Sequence, residues 1–316
     1  MHWQSALHPQ GPQAAHLHWL IWVFIWTAAA IWTLVMIVLV IGLRRRGRLD
    51  TPPLEASARG ERRAGIAVGA ALALTIVTIA VLTVISYAST HVVSAASGEP
   101  LHIRVRGYQW WWEVAYLDNV PSRSFLTANE IHVPVGTPVH VDLAAVDVIH
   151  SFWVPNIAGK QDLIPGRSNE ITIQADTPGR YRGQCAEFCG LQHAHMAMLV
   201  VAEAPAEFER WRAQQLAPAT ASGSQEQEQG RKVFEAKACA GCHAVRGTSA
   251  SGTLGPDLTH VGGREYIAAG ELPTTRGTLA AWIADPQGIK PGNNMPLVPL
   301  SDDELRAVSA YLAALQ

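Results

Sequence analysis

The stretch CAEFCGLQHAHM, residues 185–196, holds two cysteines, two histidines, one glutamate and one methionine within twelve residues. A routine surface loop does not need so many sulfur and nitrogen donors. Three interpretations suit them: a disulfide, a closed structural zinc site, or a redox-active metal centre. The sequence on either side bears on the choice.

The flanking segment, residues 99–203, has the pattern of a β-sandwich. LHIRVRG and IHVPVGTPVHVDL alternate apolar and polar residues, and ITIQA and AMLVVAEA add further short strands. Proline, glycine, asparagine and aspartate separate these strands, as is usual at turns. The pattern therefore predicts a sandwich of about 100 residues.

The types of ligand favour copper over zinc. His150 follows the strand VDLAAVDVI and lies 35 residues before Cys185. A lone histidine at a strand end more commonly bonds the backbone, but here a cluster of donors follows it. With both cysteines and His193 it could close a zinc tetrahedron, which would leave Met196 without a role. Thioether sulfur favours copper, and a second thiolate is enough to bridge a second copper ion.

The stretch resembles the copper A loop of cytochrome c oxidase subunit II. The pattern of that family is Cys-x-Glu-x-Cys-Gly-x-x-His-x-x-Met, and each defined position is present here. The resemblance implies a binuclear copper A centre, bridged by the two cysteines, with these ligands: His150, Cys185, Cys189, His193, Met196 and the backbone carbonyl of Glu187. The spacing in the family excludes His195 and Met198 as ligands.

Further residues extend the resemblance. GYQWWWE, residues 107–113, is similar to an aromatic run of the family, in which Trp110 matches the residue where electrons enter. The other two tryptophans are interpreted as packing residues. The side chain of Glu187 matches a ligand to a magnesium ion at the interface with subunit I. Asp147 either matches an acidic position near that surface or is an exposed loop carboxylate.

Two uncharged apolar stretches precede the sandwich. Residues 19–43 and 64–87 each exceed the roughly 20 residues that a helix needs to cross the hydrocarbon core of a membrane. The alternative is a buried helical hairpin in a soluble domain, but such helices are shorter and interrupted by polar residues. We therefore expect a transmembrane hairpin in residues 1–95, as in the subunit II family.

Arginines predict the orientation of this hairpin. The connection between the spans carries Arg44, Arg45, Arg46, Arg48, Arg59, Arg62 and Arg63. The positive-inside rule then places the connection in the cytoplasm and both termini outside. Because no lysine or arginine precedes the first span, it is interpreted as a retained anchor, and the histidines before it as part of a solvated tail. The expected location is the bacterial inner membrane, with the later domains on the periplasmic side.

The carboxy-terminal part carries a second motif for a redox group. Residues 204–228 are rich in Ala, Pro, Ser, Gln and Glu, which predicts a linker. Beyond them Cys239, Cys242 and His243 form Cys-x-x-Cys-His, the signature for covalent haem c with the histidine on the iron. A thioredoxin-like dithiol is the alternative, but no βαβ pattern flanks the motif.

The sixth iron ligand can be sought by elimination. The chain beyond the copper loop contains one methionine, Met295, in PGNNMPLVPL, 52 residues after His243. A Met/His pair gives haem a potential in the range of electron carriers. Residues 229–316 resemble a class I cytochrome c, whose axial methionine commonly lies in such a loop, and His260 is the rival ligand. SDDELRAVSAYLAALQ predicts a final helix that begins with a capping box.

The predicted protein is thus a multidomain membrane protein. Its parts are a two-helix transmembrane hairpin (1–95), a cupredoxin-like β-sandwich with copper A (99–203), a linker (204–228) and an all-α class I cytochrome c domain (229–316). The resemblance implies subunit II of a caa-type cytochrome c oxidase, which passes electrons from cytochrome c through haem c and copper A to haem in subunit I. Reduction of oxygen to water and proton translocation would belong to that partner, because this chain has no intramembrane histidine set.

Two other functions remain open. They are the copper A subunit of a membrane nitric oxide reductase and a membrane-tethered electron-transfer or copper-handling protein. Glu187 and the two-span anchor favour the oxidase, and a copper carrier has no use for covalent haem. The expected partners are subunit I, other oxidase subunits, a cytochrome c donor and the membrane. The net charge of −2 over 316 residues provides no basic field for nucleic acid.

Overall fold

The computed structural model describes residues 3–46, 58–93, 100–219 and 223–316. The chain divides into two units, residues 15–95 on one hand, and residues 1–14 together with 96–316 on the other. Arg48 and the rest of the predicted cytoplasmic connection, residues 47–57, lie outside the described residues.

Two long apolar helices account for the first unit. They are α1, Pro12–Arg46, and α2, Ala58–Val93. Each contains a stretch that is long and apolar enough to cross a membrane, Pro12–Arg45 and Ala58–Ser89. Among the described residues, none of the most apolar eighteen-residue window of each helix is buried inside the protein. A core helix of a soluble protein would be mostly covered, so the exposure argues for the anchor and against that alternative.

The predicted β-sandwich is confirmed. Its strands are β1 Leu101–Tyr108, β2 Trp111–Tyr116, β3 Phe125–Ala128, β4 Glu130–Pro134, β5 Val139–Ala145, β6 His150–Phe152, β7 Gln161–Leu163, β8 Asn169–Ile173, β9 Gly179–Gln184 and β10 Ala197–Glu203. Among the described residues, one sheet has the order β3-β2-β1-β5-β8 and a second the order β4-β10-β9, with β6 and β7 as a small hairpin. The β1–β5 and β4–β10 pairs are parallel, and the other pairs are antiparallel.

The alternation in the sequence sets which side chains enter the sandwich core. In β1, Ile103 and Val105 are fully buried while the intervening residues are partly exposed. Val141 and Leu143 of β5 are buried in the same way. Because successive side chains of a strand point to opposite faces, one face of this sheet packs against the core and the other faces out.

The amino-terminal tail packs on the sandwich, so the prediction of a solvated tail is wrong for its described residues. The Gln10 N–H donates to the carbonyl of Asn156 at 2.7 Å, and the Arg182 N–H donates to the carbonyl of Trp3 at 2.8 Å. At Gly11 a Cβ would lie 2.0 Å from the carbonyl oxygen of Gln174. Backbone bonds of this kind depend little on side-chain type, and for that reason the sequence pattern did not indicate them.

The predicted linker contains a helix, α3, Pro205–Leu216. Trp211 of α3 packs edge-on against Tyr116, with ring centroids 5.2 Å apart, and stacks on His132 at 4.1 Å. His132 in turn contacts the carboxylates of Glu130 at 3.0 Å and Glu203 at 2.8 Å. The first half of the segment therefore belongs structurally to the sandwich, and residues 220–222 lie outside the described residues.

The carboxy-terminal domain is helical, as predicted. Its elements are α4 Gln225–Ala236, α5 Cys239–Cys242, β11 Tyr266–Ile267, β12 Leu272–Pro273, α6 Arg276–Ala284, α7 Pro286–Ile289 and α8 Asp302–Ala314. The helices α4 and α8 cross at Gly230, where a Cβ would lie 2.0 Å from the carbonyl oxygen of Ala307. The predicted capping box is confirmed at α8, since Glu304 N–H donates to Ser301 Oγ and Ser301 N–H donates to Glu304 Oε2.

Candidate metal centres

The first candidate centre lies at one end of the sandwich, where the β9–β10 connection meets β6. Cys185 directly follows β9 and Met196 directly precedes β10, and these strands are antiparallel neighbours. The Cys185 N–H donates to the Met196 carbonyl at 2.9 Å, which closes the base of the loop. His150, the first residue of β6, is fully buried beside it. The Gln184 N–H donates to the Trp153 carbonyl at 3.0 Å and the Ala186 N–H to the Ser151 carbonyl at 3.1 Å, and these bonds bring His150 beside Cys185, 35 residues away in sequence.

All six candidate copper ligands converge at this place. The sulfur atoms of Cys185 and Cys189 lie 3.8 Å apart. Each sulfur has an imidazole Nδ1 beside it: that of His150 is 3.9 Å from Cys185 Sγ, and that of His193 is 3.6 Å from Cys189 Sγ. Met196 Sδ lies 3.8 Å from Cys189 Sγ, and the Glu187 carbonyl oxygen lies 3.2 Å from Cys185 Sγ.

The geometry of the two thiols does not match a disulfide. Both cysteines are free, and their 3.8 Å separation exceeds the roughly 2.05 Å of an S–S bond. The hydrogen bond between the two sulfurs lowers the pKa of Cys185 to about 3 and raises the pKa of Cys189. Soft sulfur donors on both sides of a buried gap, with an imidazole at each, fit a copper pair and leave no donor of the set unused.

The imidazole ring of His150 is held by a hydrogen bond on the side that faces away from the sulfurs. Its Nε2 lies 2.8 Å from Asp147 Oδ1, so Nδ1 is the nitrogen that faces the sulfurs. Burial disfavours the imidazolium form, but the Cys185 sulfur and the Asp147 carboxylate outweigh it and raise the pKa of His150. A carboxylate behind a ligand histidine fixes the tautomer and the ring orientation. Asp147, which the sequence left between two interpretations, thus contacts a candidate ligand directly.

Trp110 links this cluster to the second candidate centre. Its indole N–H donates to the Cys189 carbonyl oxygen at 2.9 Å, and the residue is 8% exposed. The same side chain lines a cavity of about 460 Å³ that extends into the carboxy-terminal domain. The next two tryptophans pack, as predicted: Trp111 stacks on Tyr108 at 4.5 Å, and Trp112 is fully buried.

The cavity has the size and lining of a cofactor pocket. Its volume falls within the roughly 300–1,000 Å³ typical of such pockets, and its lining is mainly apolar. Both thiols of the Cys-x-x-Cys-His motif, at Cys239 and Cys242, are free and lie in its wall. Free thiols beside an apolar slot fit the covalent attachment of a haem.

His243 is oriented for a metal in this cavity. Its Nδ1 lies 2.8 Å from the Pro256 carbonyl oxygen, an acceptor, so Nδ1 carries the proton. Burial lowers the pKa of His243, which keeps the ring neutral and leaves the Nε2 lone pair for an iron ion. Met295 lines the same cavity, and its N–H is held by Asn293 Oδ1 at 2.8 Å.

The rival ligand, His260, contacts backbone carbonyl oxygens outside the cavity through both ring nitrogens. Its Nδ1 lies 2.9 Å from the Gln316 carbonyl oxygen, and its Nε2 lies 3.1 Å from that of Ala217. The residue is 4% exposed and is absent from the lining of the cavity within the described residues. The geometry therefore favours Met295 over His260.

Comparison with known proteins identifies both domains. Residues 119–203 match the family model of the periplasmic domain of cytochrome c oxidase subunit II, and residues 227–316 match that of cytochrome c. Cytochrome c oxidase subunit 2 of Alkalihalophilus pseudofirmus is 41% identical over 217 residues, which cover 68% of this chain and 61% of that protein. The chain is thus similar to cytochrome c oxidase subunit II over 68% of its own length.

A second relative and a solved structure show a similar relation. The subunit 2 of Bacillus subtilis is 32% identical over 229 residues, which cover 69% of this chain and 63% of that protein. The chain thus spans about six-tenths of the length of these relatives. A solved structure, the periplasmic domain of subunit II of Bradyrhizobium japonicum cytochrome oxidase, is 32% identical, with a TM-score of 0.36, over 38% of this chain and 96% of that chain.

The structure separates the two histidines and the two methionines of the loop. His195 is exposed, and its Nδ1 pairs with Glu271 Oε2 at 2.9 Å. Met198 is buried in β10, where its Cγ would lie 2.7 Å from a Cβ at Gly183. His193 and Met196 are the members of each pair that reach the sulfurs.

Sequence reasoning missed the glycines that make room for the two ligand histidines. A Cβ at Gly107 would lie 2.7 Å from Cδ2 of His150, and one at Gly255 would lie 2.5 Å from Cε1 of His243. A single glycine in a strand or a loop has many possible causes, so the sequence carried no specific signal for this role. It also missed Lys290, which is buried between the two domains.

Proposed function

We propose that this chain is the subunit through which electrons enter a caa-type cytochrome c oxidase. It accepts electrons from a cytochrome c donor and delivers them to a haem–copper subunit I, which reduces oxygen to water and translocates protons. The observation that carries the proposal is the position of Trp110. Its indole donates to the carbonyl of the candidate ligand Cys189 and lines the candidate haem cavity.

The chain supplies a complete set of ligand and attachment residues for both copper A and haem c. Copper A would be held by His150, Cys185, the Glu187 carbonyl, Cys189, His193 and Met196. Haem c would be bound to Cys239 and Cys242, with His243 and Met295 on the iron. When bound, both groups supply one-electron redox chemistry at potentials set by their ligands.

The protein residues contribute orientation and exclusion of water. Both cysteines and Met196 are at most 3% exposed, so water is kept from the sulfur donors. The Asp147 carboxylate holds one imidazole, and the Pro256 carbonyl holds the proton of His243 at Nδ1. Because hydrogen bonds already fix these ligand side chains, they need to move little when the metal is reduced.

The magnesium ion depends on oxygens that a partner must provide. The Glu187 carboxylate is 44% exposed and lies 3.3 Å from the Lys160 ammonium, which also contacts Asp162. Magnesium prefers octahedral oxygen coordination, and Glu187 alone supplies one carboxylate. We therefore propose that a magnesium ion, if present, displaces Lys160 only when subunit I is bound.

The anchor is proposed to lie in the bacterial inner membrane, with the sandwich and the cytochrome domain on the periplasmic side. The arginines at the ends of the helices, Arg44 and Arg45 before the connection and Arg59, Arg62 and Arg63 after it, agree with a cytoplasmic connection.

Metal analysis of the purified full chain tests the proposal directly. We expect one covalent haem and two copper ions per chain; one zinc ion without copper would refute the copper centre. Met196→Leu should change the copper absorption spectrum, whereas Met198→Leu, a volume-conserving change in the sandwich core, should leave it as in the parent protein. Equal effects of the two variants would contradict the assignment of Met196.

Purification of the chain with its partners from native membranes tests the reaction. A co-purifying haem–copper subunit with oxygen uptake driven by reduced cytochrome c supports the oxidase. Nitric oxide consumption without oxygen uptake would instead assign the chain to a nitric oxide reductase.

A further inference from the structure

Lys290 is a buried lysine at the junction of the cytochrome domain and the sandwich. The residue is 2% exposed. Its ammonium donates to three backbone carbonyl oxygens, those of Trp110 at 2.9 Å, His195 at 2.6 Å and Ala268 at 3.0 Å. An ammonium group has three N–H donors, so all of them are satisfied.

The three acceptors belong to both domains. Trp110 and His195 are in the sandwich domain, His195 within the copper loop itself, while Ala268 is in the cytochrome domain. Burying a charged group is costly unless its hydrogen bonds are complete, and here burial lowers the pKa of Lys290 to about 8. The three hydrogen bonds of the ammonium form only when both domains are in contact. Separation of the domains would therefore remove two of its three acceptors.

Further bonds extend the junction along the copper loop. The Ala197 N–H donates to the Ala269 carbonyl at 2.9 Å, and Gln192 Nε2 donates to the Pro291 carbonyl at 2.7 Å. A Cβ at Gly270, where φ is +88°, would lie 2.8 Å from Cβ of Ala197. The backbones of the two domains thus approach directly, with Lys290 at the centre of the contact.

The same contact sets the position of Trp110 against the haem cavity. Gly292, two residues after Lys290, approaches the indole, because a Cβ there would lie 3.6 Å from its Cη2. The loop that carries Met295 therefore begins in contact with the indole ring of this tryptophan. Lys290 holds the backbone of Trp110, and the following residues cover its ring.

We propose that Lys290 is a positioning residue that locks the cytochrome domain onto Trp110 and the copper loop, so that the two redox sites stay docked. The role in electron transfer rests on the proposed function, whereas the docking itself does not. A soluble electron donor then meets the cytochrome domain, since Trp110 is already covered.

Amide hydrogen exchange of the full chain in detergent, read by peptide mass spectrometry, tests the lock without any redox readout. Lys290→Met keeps the length of the side chain but removes all three donors. We expect exchange in peptides covering residues 108–112 and 195–199 to rise at least about tenfold, the effect of losing one buried hydrogen-bond partner. Lys232→Met is the matched control, because Lys232 is an exposed lysine of the same domain, and it should change neither peptide.

The pattern of exchange separates positioning from folding. In Lys290→Met the amides of α4 and α8, the core of the cytochrome domain, should keep the parent exchange rates. Exchange that rises across these helices as well, or that stays at the parent rate in the two sandwich peptides, would overturn the proposal. If Lys290→Met does not accumulate, Gln192→Ala removes a neighbouring bond of the same junction and should raise exchange in the same two peptides.

The loaded protein provides a second readout. Electron exchange between haem and copper after rapid reduction should slow at least about tenfold in Lys290→Met as the docked fraction falls, while both absorption spectra keep their shape. An unchanged rate would overturn the positioning role. A protein that holds a protected junction but binds no copper would refute the proposed function and leave the lock intact.

Discussion

Replacing Gly255 by alanine should displace His243 in the candidate haem site. The new Cβ would lie 2.5 Å from Cε1 and 2.8 Å from Nδ1 of the ring, and real Cβ atoms essentially never approach other atoms within 3.0 Å. Restoring a separation of 3.5 Å requires a ring shift of about 1 Å. The ring has little freedom to make it, because Nδ1 is bonded to the Pro256 carbonyl at 2.8 Å.

The cost of this substitution follows from overpacking and a lost hydrogen bond. Overpacking in a tight site costs about 1–3 kcal/mol, and the bond to Pro256 contributes about 1 kcal/mol more. Haem should remain attached through Cys239 and Cys242, since the thiols are not touched. The iron should lose its low-spin absorption spectrum, and the midpoint of unfolding of the cytochrome domain should fall.

Gly241→Ala is the matched control for this experiment. Gly241 lies in the same motif, and a Cβ there meets nothing within 4 Å. Absorption spectra and thermal unfolding of the two purified variants are compared at equal haem content. A Gly255→Ala protein with the spectrum and unfolding midpoint of the control would refute the argument that this glycine makes room for the iron ligand.

Three further predictions concern single side chains. Asp147→Asn should weaken copper binding by about 10–100-fold through loss of the carboxylate behind His150, measured by copper titration; unchanged affinity would contradict that role. Met295→Ala should remove the low-spin Met/His signature of the haem, and an unchanged spectrum would exclude Met295 as ligand. Burial lowers the pKa of His132, but bonds to its two flanking glutamates outweigh this and raise it. Its stabilising effect should therefore be complete below about pH 6.5 and be lost as the pH rises through the raised pKa; a His132→Gln protein whose deficit in unfolding temperature does not shrink with rising pH would disprove it.

Periodicity and motif spacing were sufficient for the architecture. The helices α1 and α2 contain the two predicted spans, and the alternating strands and the final helix with its capping box occur where the sequence indicated them. Each of these signals is local: a helix or a strand shows its period over a few turns or pleats. The prediction of a linker over residues 204–228 gave no indication of α3, whose aromatic side chains Phe208 and Trp211 pack on the sandwich.

The candidate ligands were also chosen from the sequence, by resemblance and by elimination. The structure adds their geometry, from the 3.8 Å between the two sulfurs to the exposed position of His195.

The sequence by itself determined the parts of this protein: two apolar helices, a sandwich with a dense loop of soft donors, and a Cys-x-x-Cys-His domain. Spacing along the chain carries that information, since ligand motifs and secondary structure are short-range patterns. Only the tertiary structure decided how the parts meet. It brought His150 to Cys185, set Asp147 behind His150, and buried Lys290 against the backbone of Trp110. Contacts between residues as far apart as 110 and 290 depend on packing and backbone hydrogen bonds, which leave no periodic trace in the sequence.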